Sequence, residues 1–207
     1  MTDGSVICLF VKSPVPGRVK TRLALEIGAR QACRVYCHLV ESIVASIHAS
    51  EIPLALFYDG EAPDRLPEPW RRHAVICCRQ EGAGLGERMD HAFRRLFAEG
   101  YRSVLLCGSD IIGLDRQYLK NAATELYHAE LVIAPARDGG YCLIGLTAES
   151  FNPIVFEQIR WSTDQVLAQT LEQCREAKLK PVLLRTLRDI DTFADLQESA
   201  PGLLAMQ

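Results

Sequence analysis

The chain has 207 residues, of which 48% are hydrophobic and 24% are charged, which is typical of a folded globular domain. Its net charge of −3 gives no overall positive field, so we expect no binding to nucleic acid. No apolar run approaches the length of a membrane span, and the first residues lack a charged-then-apolar signal pattern. We therefore expect a cytoplasmic protein without a membrane span.

Eight cysteines are spread along the chain without a C-x-x-C pair, and most lie in apolar runs typical of strands. We interpret them as buried, reduced thiols that act as small hydrophobic side chains. The five histidines are scattered, so the sequence predicts no zinc site.

The first informative stretch is the loop 12–22, which follows an apolar run at 6–11 that predicts a buried strand. Two prolines stiffen this loop, Gly17 permits a turn, and no acid balances its cations. Those cations are Lys12, Arg18, Lys20 and Arg22. We predict that the loop binds a nucleotide di- or triphosphate, and the alternative is a turn with solvated basic side chains. It is not a P-loop, because both glycines of that motif are missing.

The next elements predict alternating helices and strands. Apolar residues at helical spacing predict a helix over 28–49, and short apolar runs predict strands at 54–58 and 74–78. A loop rich in proline and charge is predicted at 61–72 between these strands. The pattern is typical of an α/β protein.

A glycine-containing loop at 80–86 leads into an amphipathic helix that begins at Leu85. It is similar to a dinucleotide-binding fingerprint, but that motif requires glycine where Glu87 stands. One interpretation is a loop that closes over a bound nucleotide, with Gly84 and Arg88 in contact with it. The other is a flexible loop before an ordinary helix, and the sequence leaves both open.

Asp110 follows the apolar run 103–107, which predicts a buried strand. Open α/β sheets bind ligands at the carboxyl ends of their strands, and Mg²⁺ is held by a few carboxylates together with substrate phosphates. We therefore predict a metal ligand here, with a turn or helix N-cap as the alternative. A helix at 114–128 follows, for which Asp115 is a plausible N-cap.

The sequence Asp-Gly-Gly at 138–140 lies between predicted strands at 130–134 and from Tyr141 onward. By itself this is a hairpin-like turn. Paired glycines also let a sugar, base or phosphate approach the backbone, and Asp138 and Tyr141 could hydrogen-bond to it. The residues assigned to substrate contact here are Gly139, Gly140 and Tyr141.

The stretch 161–165 precedes a further helix, and Ser162 with Gln165 fits a capping box. The free N–H groups at this helix start could also meet an anionic acceptor, with Trp161 as a flat wall. Trp161 and Ser162 are therefore assigned to acceptor binding.

The last predicted elements are a short strand around 183–184 and a helix at 193–199 with Thr192 as a credible N-cap. Asp189 and Asp191 lie between them, and one of the two could join Asp110 at a metal. With no internal repeats, residues 1–207 are predicted to form one three-layer α/β/α domain with a mostly parallel sheet.

Six motifs in this order resemble the GT-A-like nucleotide-diphospho-sugar transferase superfamily, in its bacterial branch of glycosyltransferase-like or radical-SAM/selenodomain-associated transferases. They are Lys-Ser-Pro-x-Pro-Gly-Arg-x-Lys-Thr-Arg at 12–22, Leu-Gly-Glu-Arg-Met at 85–89, Gly-Ser-Asp at 108–110, Asp-Gly-Gly-Tyr at 138–141, Trp-Ser-Thr at 161–163 and Asp-Ile-Asp-Thr at 189–192. The resemblance covers nearly the whole chain. Two positions depart from it: Ile111-Ile112 replaces a Cys-Pro or similar pair, and Phe193 replaces a proline.

The resemblance implies a GT-A-like fold, a nucleotide on the first loop and Mg²⁺ or Mn²⁺ on Asp110, with Asp191 as the second metal-binding acid. We expect a transfer from a nucleotide-diphospho-sugar to a small-molecule acceptor, with Asp138 as base and the metal neutralising charge on the departing nucleoside diphosphate. One alternative is nucleotidyl transfer from a nucleoside triphosphate to a phosphorylated acceptor, with Lys20 and Arg22 stabilising charge on the transferred group. A non-catalytic nucleotide-binding protein is the third possibility.

Overall fold

The computed structural model describes residues 4–60 and 65–205. Its strands are β1 Ser5–Lys12, β2 Leu54–Asp59, β3 Ala74–Arg79, β4 Ser103–Cys107, β5 Ile111–Ile112, β6 Leu131–Pro135, β7 Tyr141–Thr147, β8 Pro181–Leu183 and β9 Arg188–Asp189. Its α-helices are α1 Thr21–Ile27, α2 Ala29–Ser50, α3 Glu68–Arg71, α4 Leu85–Ala98, α5 Arg116–His128, α6 Val166–Glu176 and α7 Phe193–Ser199. Short 3₁₀ helices occupy Pro153–Phe156 and Pro201–Ala205.

Seven strands form one sheet in the order β3-β2-β1-β4-β7-β6-β8. All of them run parallel except β7, which is antiparallel to both β4 and β6. This confirms the predicted mostly parallel sheet and the three-layer α/β/α fold. None of the helices in the described part of the chain has the length and apolarity needed to cross a bilayer.

The centrally placed β1 explains why its sequence is apolar without interruption. Successive side chains of a strand point to opposite faces, so the side chains of Ile7 and Leu9 pack beneath α2 and α5 on one face of the sheet. Those of Val6 and Cys8 pack against α4 on the other face. A strand that is covered on both faces needs apolar residues at every position.

The predicted helix at 28–49 is confirmed as α2, but a separate helix precedes it. α1 begins inside the stretch that was predicted to be loop, so Arg22 is helical. Gly28, at φ +81°, separates the two helices. Seven residues are too few for a clear periodic signal, and Leu23 of α1 is buried only through contacts with α2 and the C-terminal residues.

Two other local predictions are wrong in part. Residues 61–64 of the predicted loop 61–72 lie outside the described residues. The rest of this loop contains α3, which buries Trp70. The Trp70 ring lies edge-on to that of Tyr36, with centroids 5.9 Å apart. The predicted capping box at Ser162 does not form, because α6 begins only at Val166 with Gln165 as N-cap. The Thr163 hydroxyl donates to the Arg160 carbonyl at 2.7 Å, which makes a turn before the helix.

The two predicted N-caps are confirmed. The Asp115 carboxylate accepts the N–H of Tyr118 at 2.8 Å at the start of α5. Thr192 and Asp195 form a reciprocal capping box at the start of α7.

A small second sheet places the C-terminal part of the chain beside the end of β4. Ile111 in β5 pairs with Asp189 in β9, and the N–H of Ile190 donates to the Asp110 carbonyl at 2.9 Å. The aspartates near the end of the chain therefore lie next to Asp110.

Candidate active site

The predicted site residues converge at the edge of the sheet where the parallel strands end. β1 ends at Lys12, and β4 ends shortly before Asp110. Because β7 is antiparallel, it starts at this edge, and Tyr141 at its beginning pairs with Pro135 at the end of β6. Ligands of open α/β sheets bind at this edge.

Asp110 and Lys20 form an ion pair. Nζ of Lys20 lies 2.6 Å from Oδ2 of Asp110. The Lys20 side chain is only 3% exposed, whereas that of Asp110 is 40% exposed. The backbone of Lys20 is left-handed, with φ 48° and ψ 48°, which is costly for a residue other than glycine. The predicted phosphate ligand and the predicted metal ligand are thus in direct contact.

A second ion pair lies beside the first. Nη1 of Arg22 lies 2.6 Å from Oδ2 of Asp191, and this pair is more exposed to solvent. Lys12 and Arg18, the other two cations of the loop 12–22, are exposed. At Gly17, with φ +82°, the loop makes the turn that the sequence predicted.

Tyr36 fixes the loops after β1 and β4 relative to each other. Its hydroxyl accepts the N–H of Lys12 at 2.7 Å and lies 3.0 Å from Oγ of Ser109. Burial raises the pKa of Tyr36 well above its usual value, so the hydroxyl stays protonated. The sequence gives no sign of this role, because Tyr36 is simply one position of the predicted helix at 28–49.

Arg88 is held by the loop that precedes α4. Its guanidinium group donates to the carboxylate of Asp59 at 3.0 Å and to the Gly82 carbonyl at 3.2 Å. It also lies 3.5 Å from Oε1 of Gln80. These contacts order the glycine-containing loop. Gly84 is the N-cap of α4, and a Cβ at this position would meet no atom within 4 Å.

Two adjoining cavities meet at Asp110. We call the first, of about 290 Å³, the cationic cavity, because its lining includes Lys12, Arg18, Lys20 and Arg88. We call the second, of about 260 Å³, the aromatic cavity, because its lining includes Phe10, Tyr141 and Trp161. The two share Phe10, Leu85, Gly108 and Asp110.

Charge is distributed unequally between the two cavities. The charged residues that line the aromatic cavity are Asp110, Asp138 and Asp189, all of them acids, and its described lining contains no lysine or arginine. Burial, followed by the negative charges of Asp138 and Asp110, raises the pKa of Asp189. Of the two aspartates that the sequence left open as a partner of Asp110, Asp189 lines the aromatic cavity and Asp191 lines the cationic cavity.

A metal ion at this site would need ligand atoms from a bound substrate as well as from the protein. In the described residues, no group of three or more His, Cys, Asp or Glu side chains is placed to hold an ion. Carboxylate oxygens nevertheless suit Mg²⁺ and Mn²⁺, and Mg²⁺ commonly uses one or two carboxylates with substrate phosphates and water. The carboxylates near Asp110 fit such an ion when phosphate oxygens complete its coordination.

The turn at 136–140 is fastened to the start of α6 through Gly139. This residue has φ +89°, and a Cβ there would lie 2.2 Å from the Asp164 carbonyl oxygen. The Gly139 carbonyl accepts the N–H of Leu167 at 2.9 Å. One of the helix-start N–H groups that was predicted to be free for an acceptor is therefore already bonded. Asp138 orders the same turn by accepting the N–H of Gly140 at 2.9 Å.

Trp161 lines the aromatic cavity. Its ring lies edge-on to that of Tyr141, with centroids 6.3 Å apart. A Cβ at Gly86 would lie 2.9 Å from Nε1 of Trp161, so a small residue in α4 makes room for the indole. The Tyr141 hydroxyl is buried beside Thr170, so the predicted hydrogen bond from this hydroxyl to a substrate is not available in this arrangement.

Comparison with known proteins agrees with this geometry. Residues 43–163 match the model of DUF2064, a family described as uncharacterised proteins conserved in bacteria. This segment contains Asp110 and Asp138 but neither Lys20 nor Asp191. No curated protein matches the sequence.

Among solved structures, the chain is similar to a proposed nucleotide-diphospho-sugar transferase from Desulfovibrio desulfuricans G20. The two share 35% sequence identity with a TM-score of 0.85, over 97% of this chain and 94% of the other. The 4-diphosphocytidyl-2C-methyl-D-erythritol synthase of Anaerococcus prevotii DSM 20548 shares 11% identity, with a TM-score of 0.62 over 98% and 100% of the two chains. A cytidylyltransferase from Leptospira borgpetersenii shares 13% identity, with a TM-score of 0.59 over 93% and 83%.

The two nucleotidyltransferases, at such low identity, show the fold alone. The family match spans more than half of the chain, and the Desulfovibrio structure aligns over nearly all of it. The chain therefore belongs to the DUF2064 family and, within the nucleotide-diphospho-sugar transferase superfamily, shares the fold of that Desulfovibrio protein.

Proposed function

We propose that this protein transfers a sugar from a nucleotide-diphospho-sugar to a small-molecule acceptor, with the help of a divalent cation. One observation carries the proposal: Asp110 borders both a cavity rich in cations and a cavity lined by aromatic rings and acids. A sugar nucleotide has the same division, because its diphosphate is anionic and its sugar is uncharged and rich in hydroxyl groups.

The diphosphate would occupy the cationic cavity. Lys12, Arg18 and Lys20 of its lining would bind the oxygens, joined by Arg22, which contacts Asp191 at the same cavity. Charge-assisted hydrogen bonds of this kind are stronger than those between neutral groups. Lys20 is the most buried of these cations, so its contact would be screened least by solvent. It would also stabilise charge on the departing phosphate.

The sugar would occupy the aromatic cavity. Ionised carboxylates only accept hydrogen bonds, so Asp138 and Asp189 require a ligand that donates, such as a sugar hydroxyl. Trp161 offers a flat apolar surface for the face of the ring. A phosphate in this cavity would face acids without a compensating cation.

Asp110 would hold Mg²⁺ or Mn²⁺, together with Asp191 or Asp189. Such an ion, when bound, neutralises charge that develops on the leaving nucleoside diphosphate. Asp138 would accept the proton of the acceptor hydroxyl. Because Asp138 accepts the Gly140 N–H through Oδ1, its second oxygen remains for this role.

Nucleotidyl transfer to a phosphorylated acceptor is the second candidate, and one observation favours it. A cavity of about 300 Å³ beside Asp138 is lined by Arg22, Arg137 and Arg188, which could hold an acceptor phosphate. The same cavity is also lined by four acids, however, and Arg137 and Arg188 both pair with Glu198. The acids are Asp138, Asp189, Asp191 and Asp195. We therefore rank this reaction second.

The experiment is a thermal-shift panel of UDP, GDP, CDP and ADP, their sugar conjugates and the triphosphates, each with and without Mn²⁺. A ligand at about 100 times its dissociation constant stabilises the fold by roughly 2.7 kcal/mol. A shift that needs Mn²⁺ and a sugar nucleotide, and that is lost in Asp110→Asn but kept in Asp115→Asn, supports sugar transfer. Asp115 serves as the control because asparagine is also a good N-cap.

Product analysis then separates the candidates. Release of a nucleoside diphosphate supports sugar transfer, whereas release of pyrophosphate from a triphosphate supports nucleotidyl transfer. Binding without turnover of any donor, tested with a range of acceptors, would support a non-catalytic nucleotide-binding role. No shift with any nucleotide would contradict both enzymatic functions.

A further inference from the structure

Two ion pairs link the residues expected to bind phosphate to those expected to bind metal. Lys20 contacts Asp110, and Arg22 contacts Asp191, each at 2.6 Å. The two cations are two residues apart at the start of α1, and both aspartates line the cationic cavity. In the free protein, therefore, the proposed phosphate ligands and the proposed metal ligands neutralise each other.

We propose that these two ion pairs, which we call the latch, exchange partners when ligands bind. As a result, a nucleoside diphosphate and a divalent cation bind with positive cooperativity. The inference rests on the proposed function, because it takes Asp110 and Asp191 as the metal ligands. It concerns what Lys20 and Arg22 do in the absence of the donor.

A metal ion that binds alone must displace Lys20 and Arg22 from the two carboxylates. This leaves Lys20, with its side chain 3% exposed, without a counter-charge in a poorly solvated position. The left-handed backbone of Lys20 indicates that the surrounding structure holds the main chain of this residue in place, so the loop does not carry Lys20 away into solvent. Metal binding alone is therefore opposed.

A diphosphate that binds alone meets the complementary cost. Drawing Lys20 and Arg22 onto phosphate oxygens leaves Asp110 and Asp191 unpaired, next to Asp138 and Asp189. Asp110, Asp138 and Asp189 already line one cavity whose described lining contains no lysine or arginine. When both ligands bind, phosphate replaces the acids as the partner of the cations, and metal replaces the cations as the partner of the acids. Each ligand thus raises the affinity for the other by the same factor.

The test measures Mn²⁺ binding by electron paramagnetic resonance, which detects free Mn²⁺, first without any nucleotide. Lys20→Met keeps the aliphatic stem and removes the charge, and we expect it to bind Mn²⁺ about tenfold more tightly than wild type, within the range typical of coupling between sites. Arg22→Ala should change affinity in the same direction. Because Arg22 is 68% exposed, this variant carries the test if Lys20→Met does not fold.

Arg18→Ala is the matched control. It removes one positive charge from the same loop, but no described acid pairs with Arg18, so Mn²⁺ affinity should stay unchanged. A similar gain in Mn²⁺ affinity in Arg18→Ala would show that any lost positive charge near the site has this effect, and it would overturn the latch. The latch would also be overturned if Lys20→Met and Arg22→Ala bound Mn²⁺ no more tightly than wild type.

The second arm measures coupling. UDP, GDP, CDP and ADP are each titrated with and without Mn²⁺, and metal bound to nucleotide in protein-free solution is subtracted. We expect coupling of about tenfold in wild type and in Arg18→Ala, and little in Lys20→Met. Nucleotide binding that is independent of Mn²⁺ would overturn the latch and leave nucleotide binding intact. Absence of any nucleotide binding would instead contradict the proposed function. The Mn²⁺ affinities of the variants without nucleotide would still show whether Lys20 and Arg22 oppose metal binding.

Discussion

The hydroxyl group of Tyr36 accepts the backbone N–H of Lys12 at a distance of 2.7 Å. Tyr36 lies in α2, and Lys12 is the last residue of β1. Because the same hydroxyl lies 3.0 Å from Ser109, one buried side chain sets the spacing between the loops that carry the proposed phosphate and metal ligands.

We expect Tyr36→Phe to destabilise the protein by about 1–3 kcal/mol, since the N–H of Lys12 loses its partner. It should also weaken nucleotide binding, because the two loops are no longer fixed relative to each other. Urea denaturation measures the first effect, and titration with the best nucleotide measures the second. Tyr118→Phe is the control, because it removes a 2.7 Å hydrogen bond to the Arg185 carbonyl away from the site. Equal nucleotide affinity in the two variants would contradict this role for Tyr36.

Gly139→Ala should be far more harmful than Gly17→Ala. Both glycines have positive φ, and this conformation alone costs an alanine roughly 1–2 kcal/mol. A Cβ at Gly17 meets open space, whereas a Cβ at Gly139 would collide with the backbone of Asp164. Chemical denaturation of the two variants compares the costs directly. Equal losses of stability would show that the turn at 136–140 can move away from α6.

Asp138→Asn should abolish turnover while sparing nucleotide binding. Asparagine keeps the oxygen that accepts the Gly140 N–H, so the turn is retained, but it is not a base at neutral pH. The assay is product release from the donor identified by thermal shift. Asp164→Asn, an exposed position close by in the structure, serves as the control and should keep activity. Unchanged turnover in Asp138→Asn would remove this residue as the base.

Thr192→Ala should lower stability by about 0.5–2 kcal/mol, because it removes half of the capping box at the start of α7. Thr124→Ala is the comparison: this threonine is exposed within α5 and donates only to the carbonyl four residues earlier. That change should be neutral or slightly stabilising, since alanine favours helix. Urea denaturation distinguishes the two, and equal stability would show that the cap contributes nothing.

Much of the fold was predictable because buried parallel strands require unbroken apolar runs, which are visible in the sequence around Leu9 and Leu105. The reversed direction of β7 relative to β6 agrees with the hairpin-like turn predicted at 138–140. The insertion of β7 between β4 and β6 could not be predicted, since strand order depends on long-range pairing. The helix α1 was also missed, because Leu23 is buried in a cluster that combines residues of α2 with the distant Ile190 and Leu196.

The candidate site was predictable residue by residue but not as an arrangement. Lys20 and Asp110 each stand out in the sequence by charge and position after a strand. Their direct contact joins residues 90 positions apart and leaves no local pattern. The same holds for Gly86, whose role depends on the distant Trp161.

The pairing of Arg22 with Asp191 also bears on the synthesis of the protein. These residues are separated by 169 positions, so the site cannot be completed until Asp191 has left the ribosome. Elongation at about 5–20 residues per second leaves the growing chain for roughly 8–34 s with Arg22 already made and Asp191 still absent. In that interval Arg22 has no Asp191 to pair with, and the second proposed metal ligand is absent. Joint binding of a nucleotide and a divalent cation would thus report newly made chains in which the two distant segments have come together.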